Sequence, residues 1–331
     1  MRVPTTLALI SLCDFENNAV RQLAAGCRRR GHRVLEVYFQ DWHNNRFIEP
    51  PARDFTRLLH VLADEDVEIV GMSLRASAYE GLARDLAARI RRALGLPVLL
   101  GGWHATVRPE RCLAFGDAVC VGEADETLPL FLDVFEPGRG RGDWKLPESA
   151  PPGFVLRDPR GGVRKGPPSR PVSDLDALPW RDYLHPDKRV IGEGHFHRSD
   201  PMARDPLFQV TGSLGCIQRC GFCHNSFVVP GSEDTPRLRF RSVSSLFDEI
   251  RAARARNPGI RRVRFDDEIF GLAPAWLEEF ARRFPEEVGL PFDILAEPGV
   301  VTERYAELLR RAGRPRVHLG IQTVEEANES L

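Results

Sequence analysis

The chain has 331 residues, with 46 Lys and Arg against 47 Asp and Glu, a net charge of −1 and a pI near 6.8. No overall field steers it to nucleic acid or to an anionic membrane, and no apolar run approaches the roughly 18 residues that span a bilayer. The length suits about two domains, each with its own core.

The opening "MRVPTTLALISLCDF" carries one early positive charge and no small-residue cleavage site before Cys13. It reads as a buried first strand rather than a secretory signal. That reading places the chain in the cytoplasm, where clustered thiols serve as metal ligands or catalysts more often than as disulfides. Only Lys145, Lys165 and Lys188 are lysines. Beside so much Ala, Gly and Pro, the arginine excess reflects genome composition rather than phosphate binding.

Residues 1–137 alternate strand and helix signals. Apolar runs at 5–12, 33–39, 67–73, 97–101 and 117–121 predict buried strands. Leu82, Leu86 and Ile90 mark one apolar helix face, and the helix that starts after Asn17-Asn18 ends near Gly31. Five βα units in a row predict an α/β fold, a doubly wound, Rossmann-like parallel sheet. Residues 138–205 are rich in Pro, Gly, Arg and Asp and read as a link between domains. "GFVLRDPRGGVRKGPP" predicts a hairpin turning at Gly161-Gly162, and "DLDALPWRDYLHPD" an irregular connector.

The βα rhythm returns over 206–331. Strands are expected at 206–214, 261–266, 291–296 and 316–321, and helices at 243–256, 274–284 and 302–312, with Ser242 and Thr302 as N-caps. This predicts a partial (β/α) barrel of about four strands. The sequence stops at Leu331, where a fourth helix should begin. Four strands leave an open edge, so a C-terminally truncated barrel is expected.

"GCIQRCGFCHN" (215–225) gathers Cys216, Cys220 and Cys223 in a loop after a predicted strand, the functional end of parallel α/β folds. "CGFCH" fits the c-type haem pattern, but that chemistry accompanies export and leaves Cys216 unexplained. Zinc would want a fourth ligand; His224 is adjacent to Cys223, which makes a shared tetrahedron awkward. A redox dithiol needs only two cysteines. Three thiolates on an iron–sulfur cubane remain, one iron being left open.

With Phe222 before the last cysteine, C-x-x-x-C-x-x-C resembles the radical S-adenosylmethionine (SAM) superfamily. The resemblance implies a [4Fe-4S] cluster held by Cys216, Cys220 and Cys223, with SAM on the open iron and reductive cleavage to a 5′-deoxyadenosyl radical. It also implies SAM contacts from Phe222, from the acids ending "RVRFDDEIF" (Asp267 or Glu268, where relatives often carry Gly-Gly-Glu), from Glu297 and from Gln322 in "HLGIQTVEE".

"GLPVLLGGWHATVRPERCLAFGDAVCVGEADETL" (95–128) closely resembles the cobalamin-binding domain of B12-dependent radical SAM proteins. The implied cobalamin contacts are Ser73, Gly101, Gly102, His104, Gly122 and Glu123. No G-x-G-x-x-G follows the first strand, which argues against a generic dinucleotide site. Cobalt-ligating histidines lie in Asp-x-His-x-x-Gly; here Asp41-Trp42-His43 is followed by Arg46 at the glycine position, so His43 is not expected to ligate cobalt.

The resemblance extends through "LDALPWRDY" and points to the group that holds C- and P-methyltransferases and the anaerobic magnesium-protoporphyrin ester cyclase. It implies methylation of an unactivated carbon, or alternatively radical cyclisation or rearrangement, or cofactor binding without catalysis. The partners implied are a small-molecule or peptide substrate and a flavodoxin- or ferredoxin-like electron donor, with no nucleic acid and no membrane insertion.

Overall fold

The computed structural model describes residues 4–41, 48–138, 142–158, 160–227 and 237–321. They divide into two compact units, the first built from the described residues between 4 and 172 together with 178–203, the second from 173–177, 204–227 and 237–321.

In the first unit, β1 (Thr6–Leu12), α1 (Asn18–Arg29), β2 (Arg33–Phe39), α2 (Ala52–Asp64), β3 (Ile69–Ser73), α3 (Glu80–Leu94) and β4 (Val98–Gly101) come first. The short helices α4 (Trp103–Val107) and α5 (Pro109–Leu113) lead to β5 (Ala118–Cys120) and α6 (Thr127–Val134). β6 (Phe154–Arg157), β7 (Val163–Lys165), β8 (Lys188–Gly192) and β9 (His195–His197) complete a sheet of order β7-β6-β5-β4-β3-β1-β2-β8-β9. β1 to β5 and β8 run parallel; β6 pairs antiparallel with both β5 and β7, and β9 pairs antiparallel with β8.

The nearly unbroken apolar run of β1 follows from burial on both faces. Alternate side chains go opposite ways. Leu7 and Leu9 pack with Val20, Ala24 and Cys27 of α1 and with Phe131 of α6. Ala8, Ile10 and Leu12 pack with Leu58 of α2 and with Leu82, Leu86 and Ile90 of α3. This is the doubly wound α/β architecture expected. Since β3 and β2 flank β1, the strand order reverses there, and the β1/β3 carboxyl ends form the switch point where such sheets bind ligands.

Four strands come from the segment that the sequence sets apart as a link. The hairpin turns where expected, Asp158 N–H donating to the Gly162 carbonyl at 2.8 Å. β8 and β9 leave little trace in the sequence, because Val190 and Ile191 are β8's only apolar residues and charges surround them.

In the second unit, β10 (Leu207–Val210), β11 (Ser213–Gly215), β12 (Leu238–Phe240), α7 (Val243–Arg256), β13 (Arg262–Phe265), α8 (Pro274–Glu287), β14 (Phe292–Ala296), α9 (Glu303–Ala312) and β15 (Arg316–Leu319) follow in order. β10-β13-β14-β15 form a parallel sheet, and β11 pairs only with β12, antiparallel. The expected strand 206–214 is therefore two, because the chain turns at Thr211-Gly212 into the separate β11–β12 ladder. Ser242 and Thr302 cap α7 and α9 as expected, accepting from Ser245 N–H and Tyr305 N–H. α8 runs past Pro285, where the sequence suggests a stop.

One face of this sheet is aromatic. Phe265 of β13 and Phe292 of β14 meet Phe280 and Phe284 of α8, with ring centroids 4.8–6.1 Å apart. The other face carries the register row Gln209, Arg264, Asp293 and Arg316 across all four strands. Asp293 pairs there with Arg262 at 2.7 Å.

Candidate functional site

The first unit gathers several expected residues at one rim. Ser73 ends β3 and lies in register beside Gly101, which ends β4. The Ser73 hydroxyl accepts from Asn17 Nδ2 at 3.2 Å, and Asn17 also caps α1, its Oδ1 accepting from Val20 N–H. This pair bridges the switch point between β1 and β3. A Cβ at Gly101 would meet nothing nearer than Cys120 at 3.9 Å, so the chain's own packing leaves room there for a flat ligand.

Gly102 is different. Its φ is +94°, and a Cβ would sit 2.7 Å from the Leu74 carbonyl oxygen. Glycine is required here by the chain's own backbone, not by a ligand's approach. Gly122 N–H donates to Thr106 Oγ1 at 3.1 Å, which ties the end of β5 to α4. Glu123 accepts from Val172 N–H at 3.1 Å and braces the loop after β5.

His104, expected near the corrin, is instead buried. Its Nδ1 pairs with Ser77 Oγ at 2.9 Å and its Nε2 with Glu80 Oε2 at 3.1 Å. With both ring nitrogens engaged, it has neither donor nor lone pair to offer a ligand. Hydrogen bonds from Arg111, and then Arg84, hold the Glu80 carboxyl down at about 2. The Ser77–His104–Glu80–Arg111 chain pins α4 and α5 to the start of α3, so His104 shapes the rim without facing it. His43 lies outside the described residues.

In the second unit, Gly215 ends β11 and Cys216 follows. Cys216 is buried, Cys220 and Cys223 are half-buried, and all three are free thiols. Cys216 Sγ accepts from Gln218 N–H at 3.4 Å. Burial first, and then the charges of Glu268, Cys223 and Cys220, push the Cys216 thiol up. Phe222 is 64% exposed. His224 opens a short turn whose Ser226 Oγ donates to the Cys220 carbonyl at 2.7 Å.

Among the described residues no three His, Cys, Asp or Glu side chains converge to hold a single metal ion. Three soft thiols would suit an iron–sulfur cluster.

The acids after β13 part ways. Asp267 is 1% exposed. It accepts from Gly212 N–H at 3.0 Å and from the Ser213 hydroxyl. Burial raises its carboxyl to about 6. Asp267, expected to contact SAM, is thus enclosed by the chain's own donors. Glu268 is exposed. Glu297 accepts from Gly299 N–H at 2.9 Å in the turn after β14, half-buried. Gln322 lies outside the described residues. Asn17 and Thr106 escape the motif reading; only Asn17's place before a helical pattern hints at its role.

Residues 8–132 match the family model of the B12 binding domain, and residues 210–329 that of the Radical SAM superfamily. No curated protein matches the chain. Solved structures similar to it include MurG of Acinetobacter baumannii, at 10% identity and TM-score 0.30, covering 96% of this chain and 86% of that one. The GsuK RCK domain follows, at 10% identity and TM-score 0.26 over 96% and 75% of the two chains. The GsuK channel bound to NAD has 12% identity and TM-score 0.25 over 96% and 62%. Likenesses this slight carry no argument about function. No helix among the described residues is long and apolar enough to cross a membrane. The chain thus carries a B12-binding domain followed by a radical SAM domain, the make-up of a cobalamin-dependent radical SAM enzyme, and these domains imply cobalamin, SAM and a [4Fe-4S] cluster as cofactors.

Proposed function

We propose that this enzyme methylates an unactivated carbon of a small-molecule or peptide substrate in the cytoplasm, with a flavodoxin- or ferredoxin-like protein as electron donor. When bound, the cluster and SAM supply a 5′-deoxyadenosyl radical and cobalamin supplies the methyl group. The observation that carries the reading is the pairing of two rims on one chain. One is a β1/β3 switch point lined by small residues; the other is a post-strand loop offering three thiols.

Cys216, Cys220 and Cys223 would hold the cluster, and Phe222 in their loop, Glu268 after β13 and Glu297 after β14 would receive SAM. Ser73 and Gly101 would line the corrin side, with Gly122 and Glu123 holding the adjoining loop. Anaerobic turnover with SAM labelled at its methyl group tests the reading. Label in the product is expected. SAM cleavage with no label in the product would mean cyclisation or rearrangement instead, and no SAM cleavage would mean cofactor binding without catalysis.

A further inference from the structure

The loop that carries the cysteines rests on a short base, Thr211 to Gly215, whose position is fixed from outside the loop. Asp267, just after β13, accepts hydrogen bonds from Gly212 N–H at 3.0 Å and from the Ser213 hydroxyl. On its other side Gly212 accepts from Arg241 N–H at 2.8 Å, and the Arg241 carbonyl accepts from Trp276 Nε1 at 2.7 Å. A Cβ at Gly212 would stand 3.3 Å from Asp267 Oδ1 and 3.4 Å from the Trp276 ring, so the carboxylate and the indole close on this residue. Three residues on, Gly215 has φ +94° and lies against the Arg237 carbonyl, which fixes the direction in which Cys216 leaves the ladder.

We propose that Asp267 is a positioning residue for the iron–sulfur site: by gripping Gly212 and Ser213 it sets the base of the cysteine loop and, through it, the depth of Cys216. A buried carboxylate is costly unless its lone pairs are filled. Here they are filled by Gly212, just before β11, and by Ser213, its first residue. Without the carboxylate, the Gly212 N–H and the Ser213 hydroxyl would lose their acceptor in the interior. The cheapest relief is for the Gly212–Ser213 turn to swing toward water, carrying Cys216 with it. The inference rests on the cluster reading of the three cysteines.

The test compares Asp267→Ala, Asp267→Asn, Ser213→Ala and Cys216→Ala in the full chain, each checked for a wild-type circular dichroism spectrum. Iron and acid-labile sulfide are measured after anaerobic reconstitution. In cluster-free protein, alkylation of each cysteine by iodoacetamide is followed by peptide mass mapping. Asp267→Ala is expected to lower iron several-fold and to speed Cys216 alkylation several-fold, with Cys220 and Cys223 little changed. Asp267→Asn should restore most of both, since its oxygen accepts from Gly212 N–H and its amide donates to Ser213 Oγ.

Ser213→Ala, which removes a single bond, should shift both readouts the same way by less; it carries the test if Asp267→Ala does not fold. Wild-type iron together with wild-type Cys216 alkylation in the folded Ala variants would overturn the proposal, as would an Asn variant no better than Ala. Cys216→Ala separates the two levels: if it loads as much iron as wild type, the cluster reading fails rather than the role of Asp267.

Discussion

Two residues singled out for the cofactors, His104 and Asp267, turn inward. Both sit in motifs that mark the right loops, yet a motif fixes a residue's place along the chain and not the direction of its side chain. Asp267 has a consequence for stability. An acid whose carboxyl rises from 3.8 to about 6 on folding binds its proton more tightly in the native state than in the unfolded chain. It therefore lowers the stability of the second unit as pH rises from about 4 to about 6, by about 3 kcal/mol in all, with no further loss above that range. Urea midpoints at pH 4.5 and 7.5 should show this decline in wild type, beyond that of Asp267→Asn. Equal slopes for the two proteins would mean that Asp267 is not buried as a charge.

At the scale of elements, the β11–β12 ladder carries the cysteines into place and depends on one glycine. A side chain at Gly215 would run into the Arg237 carbonyl, a backbone atom that cannot swing aside, and φ is +94° besides. Gly215→Ala should break the Gly215–Leu238 end of the ladder and lower iron loading at least several-fold, while cobalamin binding to the first unit persists. Unchanged iron content would show that the loop does not need the ladder. The ladder also shows where sequence reading ends. Residues 206–214 look like one apolar strand, and nothing in "QVTGSLG" says that the second half pairs with a segment more than twenty positions downstream. By contrast α7 and α9 were legible to the cap, because Ser242 and Thr302 act on backbone N–H groups three residues away.

Across the first unit as a whole, a fully buried charge cluster joins segments from both ends of its sequence. Lys188 Nζ donates to Glu36 at 2.7 Å and to Asp200 at 2.8 Å, all without exposure, and Arg21 adds a second pair to Asp200 at 2.7 Å. Burial alone would raise the Asp200 carboxyl, but hydrogen bonds and charge from Arg21, and then Lys188, bring it below its ordinary value. Burial, and then the Glu36 charge, push the Tyr38 hydroxyl up, and its O–H donates to Glu36 at 2.8 Å. Lys188→Met would take one of two cations from each carboxylate, leaving Glu36 to Arg28 and Asp200 to Arg21. It should cost about 3–5 kcal/mol in chemical denaturation of the first unit. Adding Glu36→Gln should recover part of the loss, and a cost below 1 kcal/mol would contradict the burial.

The sequence by itself determined the two α/β units, the strand runs buried on both faces, the helix caps and the three thiols. Each of these is written in neighbouring residues, through alternation, helical period or short spacing. Only the tertiary structure decided that β8 and β9 join the first sheet, that Lys188 meets Glu36 and Asp200, and that His104 and Asp267 brace their loops from within. Those outcomes depend on which distant segment fills a buried donor or acceptor. A buried polar group takes whatever partner the packing brings, and short-range patterns along the chain carry no record of it.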